Sequence, residues 1–175
     1  MFTLIIFFIS FLYFGLILWL IIGFDAYDPF DESFEKTQEK FSIIIPFRNE
    51  ESNLPELLDS LSKLNYPNSN VEYLFIDDDS QDNSVKIIEK WKSILNSNNT
   101  SILKNNRLTA SPKKDALTFA ISKAKYKWIV TTDADCIVPN NWLLHFNKTI
   151  LKRKPYLIAG PVKLRHKNSF LHQFQ

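Results

Sequence analysis

The sequence predicts an α/β fold, a mostly parallel sheet flanked by helices and preceded by one transmembrane helix. Three observations predict it. From Phe41 onward, short apolar runs alternate with longer amphipathic ones. Each acid-rich cluster falls directly after one of the short runs. The opening run, MFTLIIFFISFLYFGLILWLIIGF, carries no charged side chain. Strand–helix alternation implies right-handed parallel crossovers and a sheet covered on both faces. In such sheets ligands bind beyond the carboxyl ends of the strands.

The opening run is long enough to span a bilayer as a helix. A cleaved signal peptide and a buried soluble helix are the alternatives. The missing Lys/Arg n-region, the length of the apolar run and the lack of an A-x-A-like site favour an anchor. No Lys or Arg precedes the span, whereas Lys36, Lys40 and Arg48 follow it, a bias that favours a cytoplasmic C-terminal side. The expected division is a transmembrane helix over 1–24, an acidic linker over 25–40, and a soluble domain over 41–175.

Within the domain, FSIIIPF reads as a buried strand. The helix NLPELLDSLSKLN follows, with Leu57, Leu58, Leu61 and Leu64 on one face and Asn53 and Glu56 at capping-box spacing. VEYLFID is the second strand. Asp82 or Asn83 then caps a helix that carries Val85, Ile88, Trp91 and Leu95. TSILK is a short third strand inside an Asn-rich stretch to which no chemistry is assigned. Ser111 and Pro112 open a helix in N-cap and N1 positions, with Ala116, Leu117, Ala120, Ile121 and Ala124 buried. YKWIVTTD is a strand, and PNNWLLHFNKTILKR a helix with Pro139 in its first turn. YLIAGPV is the last expected strand.

Composition excludes several classes. Net charge is +2, so neither a polyanion such as nucleic acid nor a polycation is implied. Three glycines among 175 residues leave no glycine-rich phosphate loop, and neither a Walker A nor a GxGxxG pattern occurs. Cys136 is the one cysteine, which precludes an internal disulfide and fits a reducing compartment. It reads as a small packed side chain. His145, His166 and His172 show no metal-ligand spacing.

The acidic clusters carry the chemistry. Asp133 and Asp135 leave the end of a strand one residue apart. Such oxygen ligands suit Mg²⁺ or Mn²⁺, which keep several waters and bind a diphosphate; the alternative is that they cap the next turn. In IDDDSQD, Asp77 or Asp78 accepts hydrogen bonds from a base N–H or a ribose hydroxyl, or the loop is a solvated turn. Lys113 and Lys114 oppose the dipole of the helix they begin. That placement makes sense beside an anion, with phosphate shared between ammonium and helix N-terminus, unless both are simply exposed.

In order and spacing these motifs resemble family 2 glycosyltransferases, inverting enzymes with the GT-A nucleotide-diphospho-sugar transferase (Rossmann-like) fold. The segments are SIIIPFRNEESNLPELLDSL, YLFIDDDSQDNS, KKDAL and TTDADCIVPNNWL, and the likeness runs from about Phe41 to Gln175. The resemblance implies that Pro46, Arg48 and Glu50 line a nucleotide pocket and that Asp77 and Asp78 bind uracil or ribose. It places Lys113 near the nucleotide. Asp133 and Asp135 then hold metal and diphosphate, with Asp135 the direct ligand of Mg²⁺ or Mn²⁺. The implied partners are a nucleotide-sugar donor, a UDP-sugar, and an envelope or lipid-linked glycan acceptor. The implied place is a single-pass membrane protein with a cytoplasmic catalytic domain.

Two departures stand out. Asp79 occupies a position where the family usually has Gly. The general base and a Q-x-x-R-W element, which belong to the acceptor half, are expected beyond Gln175. Residues 1–175 are therefore expected to be a truncated donor-binding half that binds nucleotide and transfers little sugar. The alternative function is a non-catalytic membrane-tethered nucleotide-binding or assembly module. A nucleotidyltransferase is disfavoured by the scarcity of glycine.

Overall fold

The structure is a computed structural model that describes residues 2–25, 38–95 and 98–162. The chain divides into two compact units, residues 1–34 and 35–175. In the first, α1 (Phe2–Asp25) is one continuous helix. Its Phe2–Gly23 stretch is long and apolar enough to cross a membrane, and none of that stretch is buried.

The second unit is built on four strands, β1 (Phe41–Phe47), β2 (Val71–Asp77), β3 (Thr100–Lys104) and β4 (Trp128–Thr131). All pair in parallel in the order β3-β2-β1-β4. The helices are α2 (Leu54–Ser62), α3 (Ser84–Ile94), α4 (Pro112–Lys123) and α5 (Trp142–Arg153). Every expected strand forms except YLIAGPV.

Period-2 alternation divides the sheet between two cores. Ile43, Ile45, Phe47, Tyr73 and Phe75 face the larger one, with Leu54, Leu57, Leu58 and Leu61 of α2, Ile88 and Trp91 of α3, and Leu143 and Ile150 of α5. Ile44, Leu74 and Ile76 face the other, against Ala116 and Ala120 of α4. Burying the large side chains of the first cluster contributes about 1.5–3 kcal/mol apiece. Two alanines four residues apart give α4 only a narrow buried stripe. Ile121 projects away from it and is 52% exposed, contrary to its expected burial.

The chain runs outward from β1 to β2 to β3, then returns so that β4 lies on the other side of β1. This reversal opens a crevice at the carboxyl ends of β1 and β4. Pro46 shows how the crevice is made. The Ile44 carbonyl accepts from Thr132 N–H at 3.2 Å, so Ile44 points its backbone toward β4. Pro46 shares that parity, but pairing with β4 stops at Ile44↔Thr131. The missing proline N–H thus falls where β4 has already ended, and no ladder bond is lost.

Several local expectations need correction. YLIAGPV remains unpaired: Tyr156, Leu157 and Val162 are exposed, and only Ile158 packs on the core. Pro155 precedes that run and Pro161 lies within it, and each removes a backbone donor. Apolar composition alone does not create a strand without a hydrogen-bonding partner. Asn53 is the N-cap of α2 without a side-chain cap, and its Nδ2 donates to Glu50 Oε2 at 2.7 Å instead. Asn83 and Ser111 hold their N-cap positions, likewise without side-chain caps. Pro139 precedes α5 rather than sitting in its first turn; its carbonyl accepts from Trp142 N–H at 3.0 Å. Leu95 is 40% exposed, because α3 ends at Ile94.

Candidate active site

The rim at the carboxyl ends of the strands is assembled from the four loops that follow β1, β2, β3 and β4. The loops after β1 and β2 are laced together. Asn49 N–H donates to Ser80 Oγ at 3.1 Å and Gln81 N–H to Asn49 Oδ1 at 2.7 Å. Glu50 N–H donates to Ser84 Oγ at 2.9 Å, and Glu51 N–H to Asp82 Oδ2 at 3.0 Å. Glu51 Oε2 accepts in turn from Asn83 N–H at 2.9 Å. Asn49 and Asp79 take positive φ, 54° and 69°, to permit these turns. Asp79 therefore adopts the left-handed conformation that Gly would reach at lower cost.

This lacing sorts the acids by role. Glu51 and Asp82 bind loop amides, and hydrogen bonds from Ser84 hold the Asp82 carboxyl below the usual carboxylate range. Asp77 Oδ1 accepts from Ser80 N–H at 2.9 Å, closing the turn that aims Asp78. Asp78 is different. Arg107 grips it, with Nε to Oδ1 and Nη2 to Oδ2, each at 2.7 Å. Asn105 Nδ2 adds a bond to Oδ1 at 2.7 Å. The Arg107 hydrogen bond, more than that of Asn105 or the nearby charge of Arg48, holds the Asp78 carboxyl below its usual range despite partial burial. A carboxylate has about four lone-pair sites. Three are taken, which leaves one on Oδ2.

Neither Arg107 nor Asn105 was among the expected site residues. Both lie in or beside the Asn-rich stretch to which the sequence reading assigned no chemistry. Asp115 shapes their loop. This buried side chain in the first turn of α4 accepts from Leu108 N–H at 2.9 Å, Thr109 N–H at 2.7 Å and Thr109 Oγ1 at 3.0 Å. The Thr109 amide foremost holds its carboxyl below the usual range. Asn105 Nδ2 also donates to Pro112 O at 3.0 Å, which fixes the amide, and its Oδ1 is buried without a partner. An Asp three positions after Pro112 was the available signal for this loop.

On the other side of β1, Lys113 Nζ meets Asp133 Oδ1 at 2.6 Å. The anion expected beside Lys113 is thus, in the protein alone, the first acid of the DAD pair. Both side chains are more than half exposed. Asp135 is exposed as well, its Oδ1 3.8 Å from Cys136 Sγ. Arg48 is exposed, while Pro46 and Glu50 are half-buried. The structure brings together Asp78, Arg48 and Arg107, and separately Lys113 and Asp133. The Glu50 side chain turns to Asn53.

Among the described residues, no three His, Cys, Asp or Glu side chains converge to hold a metal ion. Asp133 and Asp135 are both exposed oxygen donors, the donor type of a Mg²⁺-type ion, which takes one or two carboxylates and completes its shell with water and phosphate. His145 lies among the described residues; His166 and His172 lie outside them.

Comparison with known proteins agrees with this architecture. Residues 42–172 match the Glycosyl transferase family 2 profile. The poly(ribitol-phosphate) beta-N-acetylglucosaminyltransferase TarS of Staphylococcus aureus (strain Mu50) is 32% identical over 96 residues, 55% of this chain and 16% of that protein. A crystal structure of S. aureus TarS 1-349 in complex with UDP-GlcNAc superposes with a TM-score of 0.59 at 25% identity, covering 71% of this chain and 37% of that one. The mannosyltransferase PcManGT of Pyrobaculum calidifontis, in complex with GDP-Man and Mn²⁺, shares the fold at 22% identity and a TM-score of 0.58, covering 73% and 38%. The chain thus spans well under half the length of these relatives. With its doubly wound parallel sheet and GT-A structural neighbours, the chain belongs to glycosyl transferase family 2.

Proposed function

We propose that this chain is the donor-binding half of a membrane-anchored glycosyltransferase that uses a nucleotide-diphosphate sugar, a UDP-sugar, and inverts the anomeric carbon. The observation that supports it most is the pair of ion pairs flanking the crevice, Asp78 with Arg107 and Lys113 with Asp133. In this reading the last lone pair of Asp78 Oδ2 accepts from a base N–H, and Asp77 takes a ribose hydroxyl. Pro46, Arg48 and Glu50 border the nucleoside. Lys113 exchanges Asp133 for the diphosphate, a phosphate anion beside a helix N-terminus.

Asp135, with Asp133, would hold Mg²⁺ or Mn²⁺, which supplies positive charge to the leaving diphosphate. The acceptor hydroxyl attacks the anomeric carbon as the bond to the diphosphate oxygen breaks, and the electron pair leaves on the nucleoside diphosphate. Lys113 stabilises that charge. The acceptor proton passes to a base that we place outside residues 1–175, so this stretch binds donor and transfers little sugar alone. We assign residues 1–24 to the anchor, 25–40 to the linker and 41–175 to the transferase domain, in the cytoplasm. An envelope or lipid-linked glycan is the acceptor class that suits a membrane-held enzyme.

Calorimetry of the full chain with UDP, with and without Mn²⁺, tests the reading. Metal-dependent binding that Asp135→Ala abolishes supports it. Absence of UDP binding in a folded sample overturns it in favour of a non-catalytic module.

A further inference from the structure

The opposite edge of the sheet carries a feature that donor binding does not use. All four strands are parallel, so their amino ends share one edge, about seven residues or roughly 23 Å from the rim. Phe41 is level with Trp128 across β1 and β4. Around that level stand Lys40, Lys123, Lys125 and Lys127, all exposed. Three of them lie over aromatic rings: Lys40 Nζ is 5.6 Å from the Tyr126 centroid, Lys123 Nζ 5.7 Å from Phe119, and Lys127 Nζ 5.7 Å from Trp128. These rings are half-buried, each with one part in the fold and one part toward water.

Among the described residues, the carboxylates facing this edge do little to offset it. Glu72 is 2% exposed and occupied, since its Oε2 accepts from Ser42 Oγ at 2.6 Å and from Lys125 N–H at 2.9 Å. Lys125 Nζ lies 3.6 Å from Oε1 of the same residue. Glu39 is half-buried. The edge is therefore built around SKAKYKW as a cationic surface with aromatic flanks. Amphipathic rings and lysine stems of this kind suit a water–lipid boundary. This is also the edge where the polypeptide enters the domain after its apolar helix, through Lys40 into β1.

We propose that this edge is a docking surface for an anionic lipid bilayer, resting on the anchor reading above. Lipid phosphates meet Lys40, Lys123, Lys125 and Lys127, and Tyr126 and Trp128 sit at headgroup level. Each lysine near an anionic surface strengthens attraction roughly fivefold, and the effect fades with salt.

Lysine acetylation rates, read by mass spectrometry on the full chain in vesicles, test this. Phosphatidylcholine vesicles are compared with vesicles that also contain phosphatidylglycerol. The expected result is several-fold slower acetylation of the four lysines with phosphatidylglycerol, reversed by high salt, while Lys86, Lys90 and Lys92 of α3 are unchanged. Lys123→Gln with Lys127→Gln should remove the protection at Lys40. Equal rates in the two lipids overturn the proposal, as does protection that persists at high salt. Carbonate extraction reports separately on the anchor. If the chain is extracted, the anchor reading fails; docking then stands if phosphatidylglycerol still protects the four lysines and falls if it does not.

Discussion

Arg107 holds Asp78 in a fork, two bonds of 2.7 Å from one guanidinium to the two oxygens of one carboxylate. A third contact runs from Nη2 to the Asp78 carbonyl at 3.0 Å. Lysine offers a point charge and cannot reproduce the fork. Arg107→Lys should therefore leave Asp78 charged but free to rotate. We expect UDP affinity to drop about tenfold, with an unchanged far-UV spectrum. Calorimetry at neutral pH checks this, and wild-type affinity in the variant would show that the fork does not position Asp78 for nucleotide.

The same pair predicts an acid limit to stability. The folded-state pKa values of Asp78 and Asp115 lie below the ordinary carboxylate value of 3.8. Depressed carboxyls contribute stability that is complete above the unfolded value and is lost as pH falls through the folded one. Thermal midpoints should be insensitive to these two groups above about pH 5 and should fall steeply below about pH 4. Arg107→Ala should shrink the acid-sensitive part, because Asp78 then titrates nearer its unfolded value. A melting series between these pH values, wild type against variant, decides it; parallel curves would remove Asp78 from the acid limb.

What could be read from the sequence divides along physical lines. β1, β2 and β4 were legible because uninterrupted β-branched and aromatic runs have few other uses, and the acids behind them marked the rim. The partners of those acids were not legible. Arg107 lies 29 residues from Asp78, and no local pattern links them. Asp115 reads as an ordinary acid in a helix first turn, yet it shapes the loop that carries Arg107. YLIAGPV failed for the opposite reason, since its composition was right and its backbone found no partner.

Lys113 and Asp135 should separate binding from stability. The Lys113–Asp133 pair is 63% and 53% exposed, so its contribution to stability is about 0–1 kcal/mol at most, and less in salt. Lys113→Ala should hardly move the melting temperature. It should weaken UDP binding several-fold, and uridine binding not at all, because only the diphosphate needs the ammonium. Asp135→Ala should remove the response of UDP affinity to Mn²⁺. Titrations of UDP and uridine with each variant check both expectations; equal losses for the two ligands would point to a collapsed loop instead.

Asp79 offers a test in the direction of greater stability. Its φ of 69° costs an ordinary residue about 1 kcal/mol, and Asp somewhat less because it tolerates this region. Its one compensating ion pair, with Lys104, is long at 3.7 Å, and both side chains are more than half exposed. Gly would relieve the strain but enlarge the freedom of the unfolded chain. The two effects oppose each other, and the strain is the larger, so Asp79→Gly should stabilise by about a few tenths of a kcal/mol. The substitution also removes a negative charge beside the loop that presents Asp78. UDP, itself an anion, should then bind more tightly at low salt, and the gain should fade at high salt. Urea unfolding and calorimetry at two ionic strengths measure both effects. A loss of stability would mean that the Lys104 contact holds the turn more firmly than its distance of 3.7 Å suggests.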